Sequence, residues 1–425
     1  MWSTGSVREV PAQRPELARQ DACPGALRPH PAADGLLVRV RLPGGLTTPA
    51  QLAALAGLAR EFSDGHLELT SRANVQLRAL PADSVDEVAR RLAACGLLPS
   101  ASHERVRNIL ASPMDGRGPG GRLPVRPVVA ELDRRLLDEP TLAALSGRFL
   151  FAVDDGGGDV LGFGADLALY PVSGREIALL LAGVDRGLRL APRDAASVLV
   201  EAASAFLAER AAQESPAWRL ADLAVGPSRV SERMVGSSLR RVSDVMSVPA
   251  GEPEPPVGVL AESGGRYAVG ALVPLGRLSG EQAHLLARLG ELGRGEVVVT
   301  PWRTVLVGGL DEETATAWTR QLGDAGLPAS PESPWAGVFA CAGEPRCAKA
   351  LADVRADAAE VVRQSGRGSR PVHWAGCDRQ CGKPAGAVEV VATRNGYEVR
   401  DGDTRRHCPS ARLAATVSTA REARA

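Results

Sequence analysis

One structural plan occurs twice in this chain, and that constrains its fold more than any other feature. Placing residues 37–80 above residues 267–310, at a constant offset of 230 and without a gap, aligns three pairs of segments. A strand-like LVRVRLPGG meets YAVGALVPLG, the helical QLAALAGLAREF meets EQAHLLARLGEL, and HLELTSRANVQL meets EVVVTPWRTVLV. Thr70 falls on Thr300. Few single positions are identical, so the signal lies in the shared order and length of elements, and it marks a duplication. A chain of 425 residues also exceeds what one hydrophobic core sustains. The predicted order is an N-terminal arm over 1–30, a small unit over 31–98, a larger one over 99–247, a second small unit over 259–328 and a second larger one over 329–425. VPAGEPEPPVG, 248–258, reads as the linker between the halves.

Four of the seven cysteines stand in two close pairs, Cys341 and Cys347 in CAGEPRC and Cys377 and Cys381 in CDRQC. An odd cysteine count, with no apolar signal-like stretch in MWSTGSVREVPAQRPELARQ, argues against a disulfide framework and towards metal or redox chemistry. Structural zinc knuckles use two to four intervening residues, which C-x3-C satisfies and C-x5-C does not. The corners of an iron–sulfur cubane tolerate wider, unequal spacing on two segments. The spacing therefore favours a cluster over zinc, and inert cysteines are the remaining reading. Leu351, Val354, Ala358 and Val361 recur at helical spacing and predict that the first pair enters a helix N-terminus, an end that favours thiolate charge. Gly376, Gly382, Pro384 and Gly386 predict a tight loop around the second pair, and AVEVVATRNGYEVRDG predicts two strands joined by an Asn395-Gly396 turn. Cys23, Cys95 and Cys408 have no partner at metal spacing and read as bystanders.

The repeat combined with C-x5-C and C-x3-C resembles the siroheme nitrite and sulfite reductase superfamily, from about residue 25 to residue 400. Within it, RLPGGLTT, LELTSRANVQLR, VRNILASP, FAVDDGGG and HWAGCDRQCGKP are most similar to the precorrin-3B synthase branch of aerobic cobalamin biosynthesis. The resemblance implies an α+β, duplicated nitrite/sulfite reductase fold: two ferredoxin-like half-domains pair, and two larger α+β domains surround a tetrapyrrole cavity. It implies that Cys341, Cys347, Cys377 and Cys381 hold a [4Fe-4S] cluster, with Cys381 at the position that in the reductases also bridges to the tetrapyrrole iron. The reaction it implies is a monooxygenation in which precorrin-3A is hydroxylated at C20 with lactone formation. O2 is the oxidant, and electrons pass through the cluster from a separate reductase or ferredoxin, ultimately from NAD(P)H. A further non-haem iron belongs to that reaction, although no 2-His-1-carboxylate set stands at recognisable spacing. The alternatives are a siroheme-dependent nitrite or sulfite reductase, which would carry siroheme, and a non-catalytic cluster-bearing electron carrier or redox sensor.

By the same resemblance Arg72, Arg107 and Arg148 occupy positions where the superfamily places anion-binding basic residues, and Asn74 is expected at the tetrapyrrole edge. Arginine suits a carboxylate-studded ligand because its planar fork binds carboxylates in bidentate fashion. The chain departs from the family's paired basic motif at its second position, where it has Leu150. A reductase needs charge there to stabilise an oxyanion, and an oxygenase binding neutral O2 has less need of it. His373, four residues before Cys377, reads either as a ligand or proton donor or as a supporting core residue. Arg379 and Lys383 read as cluster-screening or solvent-facing cations.

Fifty basic and fifty acidic residues cancel, which gives no global attraction to nucleic acid or to an anionic membrane. No run of about 18 apolar residues appears, and the expected location is cytoplasmic. GRGPGG and DDGGGD do not follow the strand, GxGxxG and helix order of a dinucleotide site, so the electron donor is expected to be a separate protein.

Overall fold

The computed structural model describes residues 21–234, 238–248, 254–409 and 412–422. Most of the predicted arm, and residues 249–253 of the predicted linker, lie outside these. The first repeat comprises β1 (His30–Ala32), β2 (Gly35–Val40), β3 (Leu46–Thr47), α1 (Pro49–Phe62), β4 (His66–Leu69), β5 (Val75–Leu80) and α2 (Val85–Ala94). Thr48 and Gln51 form a reciprocal capping box and Pro49 opens the helix, so the start of α1 is set locally. Its Leu52, Leu55, Leu58 and Ala59 stripe is buried.

The first larger unit follows with β6 (Ile109–Ala111), α3 (Arg126–Asp138), β7 (Phe151–Val153), β8 (Leu167–Ser173), β9 (Glu176–Leu181), β10 (Val184–Leu190), α4 (Ala195–Ala212), α5 (Gly226–Arg233) and β11 (Arg240–Arg241). β6, β7 and β8 are parallel neighbours, and β9, β10 and β11 continue the sheet antiparallel. Phe149, Phe151 and Phe206 of α4 pack their rings in its core.

The second repeat is β12 (Gly258–Glu262), β13 (Arg266–Leu272), β14 (Arg277–Ser279), α6 (Gly280–Leu292), β15 (Val297–Val299), β16 (Thr304–Leu310) and α7 (Glu312–Asp324). Ser279 and Gln282 repeat the capping box, and both repeats bulge at the same rung, with φ 55° at Ala79 and 84° at Gly309. The copies then interlock. β3 adds to the second repeat's sheet beside β15, and β14 adds to the first repeat's sheet beside β4. The crossing is tight: a Cβ on Gly45 would stand 1.9 Å from the Val299 carbonyl oxygen, so only glycine fits there. Leu52 and Leu55 of α1, Leu286 and Leu289 of α6, and the inward faces of β5 and β16 share one core. The ungapped alignment needs one correction. The capping boxes are offset by 231, whereas the threonine turns after the helix are offset by 230, because α6 has 13 residues and α1 has 14.

The chain closes with β17 (Val338–Ala340), α8 (Val354–Gln364), β18 (Val372–Ala375), β19 (Val388–Thr393), β20 (Gly396–Asp401), β21 (Thr404–Cys408) and α9 (Leu413–Glu422). Here too three parallel strands, β17 to β19, are followed by antiparallel β20 and β21. The larger units are thus variants of one plan as well, a duplication hidden from the sequence because strands of three or four residues carry almost no periodicity. Two local expectations shift. α8 begins at Val354 behind an Asp353 cap, seven residues after Cys347, leaving Leu351 exposed before it. The β19–β20 loop is Arg394-Asn395, since Thr393 pairs directly with Gly396.

Candidate active site: a four-cysteine cradle beside a basic, aromatic cavity

The cysteines converge because their loops leave adjacent parallel strands. Cys341 follows β17 and Cys377 follows β18 by one residue, and the Cys341 amide donates to the Trp374 carbonyl at 2.9 Å. The Gly376 N–H donates to the Cys341 sulfur at 3.2 Å, and Cys347 is turned back by its own N–H to the Gly343 carbonyl. Burial raises the pKa of the Cys381 thiol, and the nearby charges of Cys341, Cys377 and Cys347 add to that rise while Arg379 opposes it. Four sulfur donors carried on two adjacent loops are a donor set that fits a four-thiolate metal group. A zinc tetrahedron with 2.3 Å bonds would draw its sulfurs to within about 3.8 Å of one another. Among the described residues the only trio of candidate ligand atoms within 4.8 Å is acidic, so the cysteine set is more open than a zinc cage.

Both repeats grip this cradle. Glu68 of β4 and Arg355 of α8 form a buried pair at 2.6 Å, and the Arg355 Nε donates to the Cys341 carbonyl at 3.0 Å. Arg78 of β5, paired with Asp34, donates to the Arg346 carbonyl at 2.9 Å. From the second repeat, Arg303 donates to the Gly382 carbonyl at 3.0 Å.

A cavity of about 690 Å³ lies where these parts meet. Equivalent turns of the two repeats wall it. In the first, Thr70 accepts from the Arg72 and Asn74 amides; in the second, Thr300 bonds the Thr304 hydroxyl and amide. The first turn presents Arg72 and the second Trp302 and Arg303. Phe163 meets Trp302 edge to face at 5.2 Å, and the Arg303 guanidinium lies 5.2 Å from the Phe339 ring centroid. Arg367, Arg370 and Lys383 also line the cavity, each paired with a carboxylate, whereas Arg72 and Arg303 have no carboxylate within 4.0 Å among the described residues. Burial, then the like charge of Arg219, brings Arg72 down to about 10; burial, then Arg355, does the same for Arg303. Both remain cationic at neutral pH.

Of the four residues expected to contact a ligand, Arg72 alone lines this cavity. Arg107 is committed to Asp133 of α3 through two bonds of 2.6 and 2.7 Å. Arg148 is exposed, its guanidinium stacked 4.7 Å from the Trp218 ring centroid. Asn74 is spent on the scaffold, accepting from the Leu42 amide at 2.9 Å and donating to Asn108 at 3.3 Å. Leu150 is 1% exposed, within an apolar cluster of Ala73, Leu110 and Ala152 that Phe163 joins to the cavity wall.

Two arginines escaped the sequence reading. Arg303 is one. The other, Arg41, is 2% exposed and has no hydrogen-bond partner on any of its three nitrogens among the described residues. Burial, then the charge of Arg39, holds its pKa well below the usual value. Buried guanidinium groups are normally hydrogen-bonded, so Arg41 has donors suited to an anion. A signal existed in the repeat, where the residue equivalent to Arg41 is the apolar Leu272.

His373 of β18 is fully buried between Phe339 and Glu389 on the neighbouring strands, and neither ring nitrogen has a partner among the described residues. Burial, followed by the charges of Arg303 and Lys383, lowers its pKa to about 3, so the ring is neutral near pH 7. Arg379 is exposed and Lys383 is paired with Glu389.

Asp154, Asp155 and Asp159 crowd together in the DDGGGD loop. Asp154 and Asp155 accept backbone N–H groups of the loop, and Ser112 donates to Asp159. Burial, then the charge of Asp154, pushes Asp159 up to about 8 against an ordinary value of 3.8. A carboxyl raised in the fold favours folding when protonated, so this contribution is complete below about pH 4 and is lost as pH rises through about 8. Asp159→Asn is therefore expected to raise the melting temperature at alkaline pH and to change it little near pH 4. Melting curves of the two proteins that stay parallel across that range would refute the shift.

The profile of the nitrite/sulfite reductase ferredoxin-like half domain matches residues 28–95 and 260–325, the two interlocked repeats. NirA of Mycobacterium tuberculosis superposes with a TM-score of 0.72 over 90% of this chain and 79% of its own, at 22% identity. The chain has the duplicated nitrite/sulfite reductase fold, and the curated proteins it resembles are oxidoreductases. Among these it is 29% identical to a precorrin-3B synthase from Sinorhizobium sp over 89% of this chain and 82% of that protein. It is also 27% identical to the chloroplastic ferredoxin–nitrite reductase of Betula pendula and 28% to that of Zea mays, each over 82% of this chain. It spans only about two thirds of those reductases, 66% and 67%. No helix among the described residues is long and apolar enough to cross a membrane.

Proposed function

We propose that the chain is a precorrin-3B synthase-like monooxygenase that hydroxylates precorrin-3A at C20 and closes a lactone with the ring A acetate. The observation that carries this is the cavity. Its aromatic walls suit the face of a macrocycle, and Arg72, with no carboxylate within 4.0 Å among the described residues, suits the carboxylates on its rim. Cys341, Cys347, Cys377 and Cys381 would hold a [4Fe-4S] cluster, which supplies single electrons when bound. The chain's own residues bind and orient the substrate and exclude water from one side through the apolar cluster around Leu150. A separate ferredoxin or reductase, ultimately drawing on NAD(P)H, would deliver the electrons, and the ligands of a further non-haem iron are not assigned.

Comparable identity to the nitrite reductases supports a second reading, a siroheme-dependent reductase. Anaerobic purification followed by an optical spectrum, iron and sulfide counts, and titration with precorrin-3A or siroheme separates the two. Broad cluster absorption without siroheme bands, together with O2-dependent conversion of precorrin-3A, is the expected result. Bound siroheme and nitrite or sulfite turnover would replace the synthase reading with the reductase one. Leu150→Lys adds a second test. A lysine forced into that apolar cluster is expected to cost about 2–4 kcal/mol of stability and to impair hydroxylation. A stable variant that gained oxyanion binding would instead favour the reductase.

A further inference from the structure

Arg303 touches both the cavity and the loop that carries Cys381. It stands on the 300–304 turn with φ 59°, and its twin in the first repeat, Ala73, adopts φ 54°. The turn thus imposes the left-handed backbone in both copies, and alanine satisfies it, so the fold of the turn does not explain the guanidinium. One of its N–H groups donates to the Gly382 carbonyl at 3.0 Å, immediately after Cys381. The two groups stand close, a Cβ at Gly382 lying 2.8 Å from the Arg303 Nη2, and the φ of 81° at Gly382 favours glycine there. Phe339 supports the guanidinium from one side. The other cations of this part of the wall, Arg367, Arg370 and Lys383, already have carboxylates.

We propose that Arg303 is a positioning residue coupling the cavity to the cysteine loop: N–H groups not used by Gly382 bind a rim carboxylate of the macrocycle, and through Gly382 the same guanidinium then sets the position of the Cys381 loop. Arginine can do this because its planar fork offers five donors, enough for two acceptors at once. The inference rests on the tetrapyrrole and cluster readings given above.

The test uses uroporphyrin III, a stable macrocycle bearing acetates and propionates, titrated anaerobically into the intact cluster-loaded protein. Macrocycle fluorescence reads binding, and the electron paramagnetic resonance spectrum of the reduced cluster reads coupling. Wild-type protein is expected to bind and to show a changed cluster spectrum on binding. Arg303→Gln should bind roughly ten- to a hundredfold more weakly, the range of lost charge-assisted hydrogen bonds, and at saturation should show no spectral change. Arg303→Lys keeps the charge without the fork; it should recover part of the affinity but not the spectral response, and it serves if the glutamine variant loses its cluster. Undiminished affinity in Arg303→Gln, or weaker binding with the spectral change intact, overturns the coupling. Failure of the wild-type protein to bind overturns the cavity reading and this inference with it.

Discussion

Serine in place of Cys341 is expected to abolish the metal centre. Iron and acid-labile sulfide should fall from about four each per chain towards background, with loss of the visible absorption and of all turnover. The reason is geometric. Cys341 sits where β17 ends, its sulfur accepts the Gly376 N–H, and its carbonyl is held by Arg355, so no neighbouring donor can slide into its place. Cys408→Ser is the control. That thiol is buried at the end of β21, beside the Thr416 hydroxyl and away from the cradle, and its loss should leave iron and sulfide unchanged. A Cys341→Ser protein with full cluster content would remove the four-cysteine assignment.

The second large effect concerns the join between the first repeat and the cysteine domain. Glu68→Leu strips Arg355 of its carboxylate at a site where both partners are under a tenth exposed, 7% and 8%. Breaking one side of a buried pair costs about 3–5 kcal/mol, because the remaining charge is left uncompensated. The melting temperature should drop accordingly, and the Glu68→Leu/Arg355→Leu double variant should regain much of it. Cluster retention should not recover in the double variant, because Arg355 also holds the Cys341 carbonyl. Burial alone would raise the pKa of Glu68, but Arg355, Arg78 and Arg277 together outweigh it and the net shift is downward. The pair's contribution is therefore present above the ordinary glutamate range and disappears only as pH falls below it. Equal stability of wild type and Glu68→Leu would show that the pair does not hold the two domains together.

How legible the site was depended on the distance over which each feature is encoded. The repeat could be read because apolar period and capping residues act within a few positions: Thr48 with Gln51 and Ser279 with Gln282 set the same helix start twice. The cysteine pairs could be read because their spacing is itself the donor geometry, carried on loops leaving adjacent strands. The pairing of Arg107 with Asp133, 26 positions away, could not be read, because the two meet only in the fold. The contacts of Asn74 and Arg148 with Leu42, Asn108 and Trp218 were out of reach of the sequence for a similar reason, since they form only through the fold.

By itself the sequence determined two copies of a strand–helix–strand plan, four cysteines in two close pairs and an apolar residue at position 150, each a local property of neighbouring residues. Only the tertiary structure decided that the copies exchange β3 and β14, that among the described residues Arg72 and Arg303 are left without carboxylates while Arg107 is paired with Asp133, and that a basic, aromatic cavity runs up to the Cys381 loop. Strand exchange and the pairing of charges are contests between groups far apart in the chain. Their outcome depends on which groups are brought within a few ångströms and shielded from water, and no spacing along the chain encodes that.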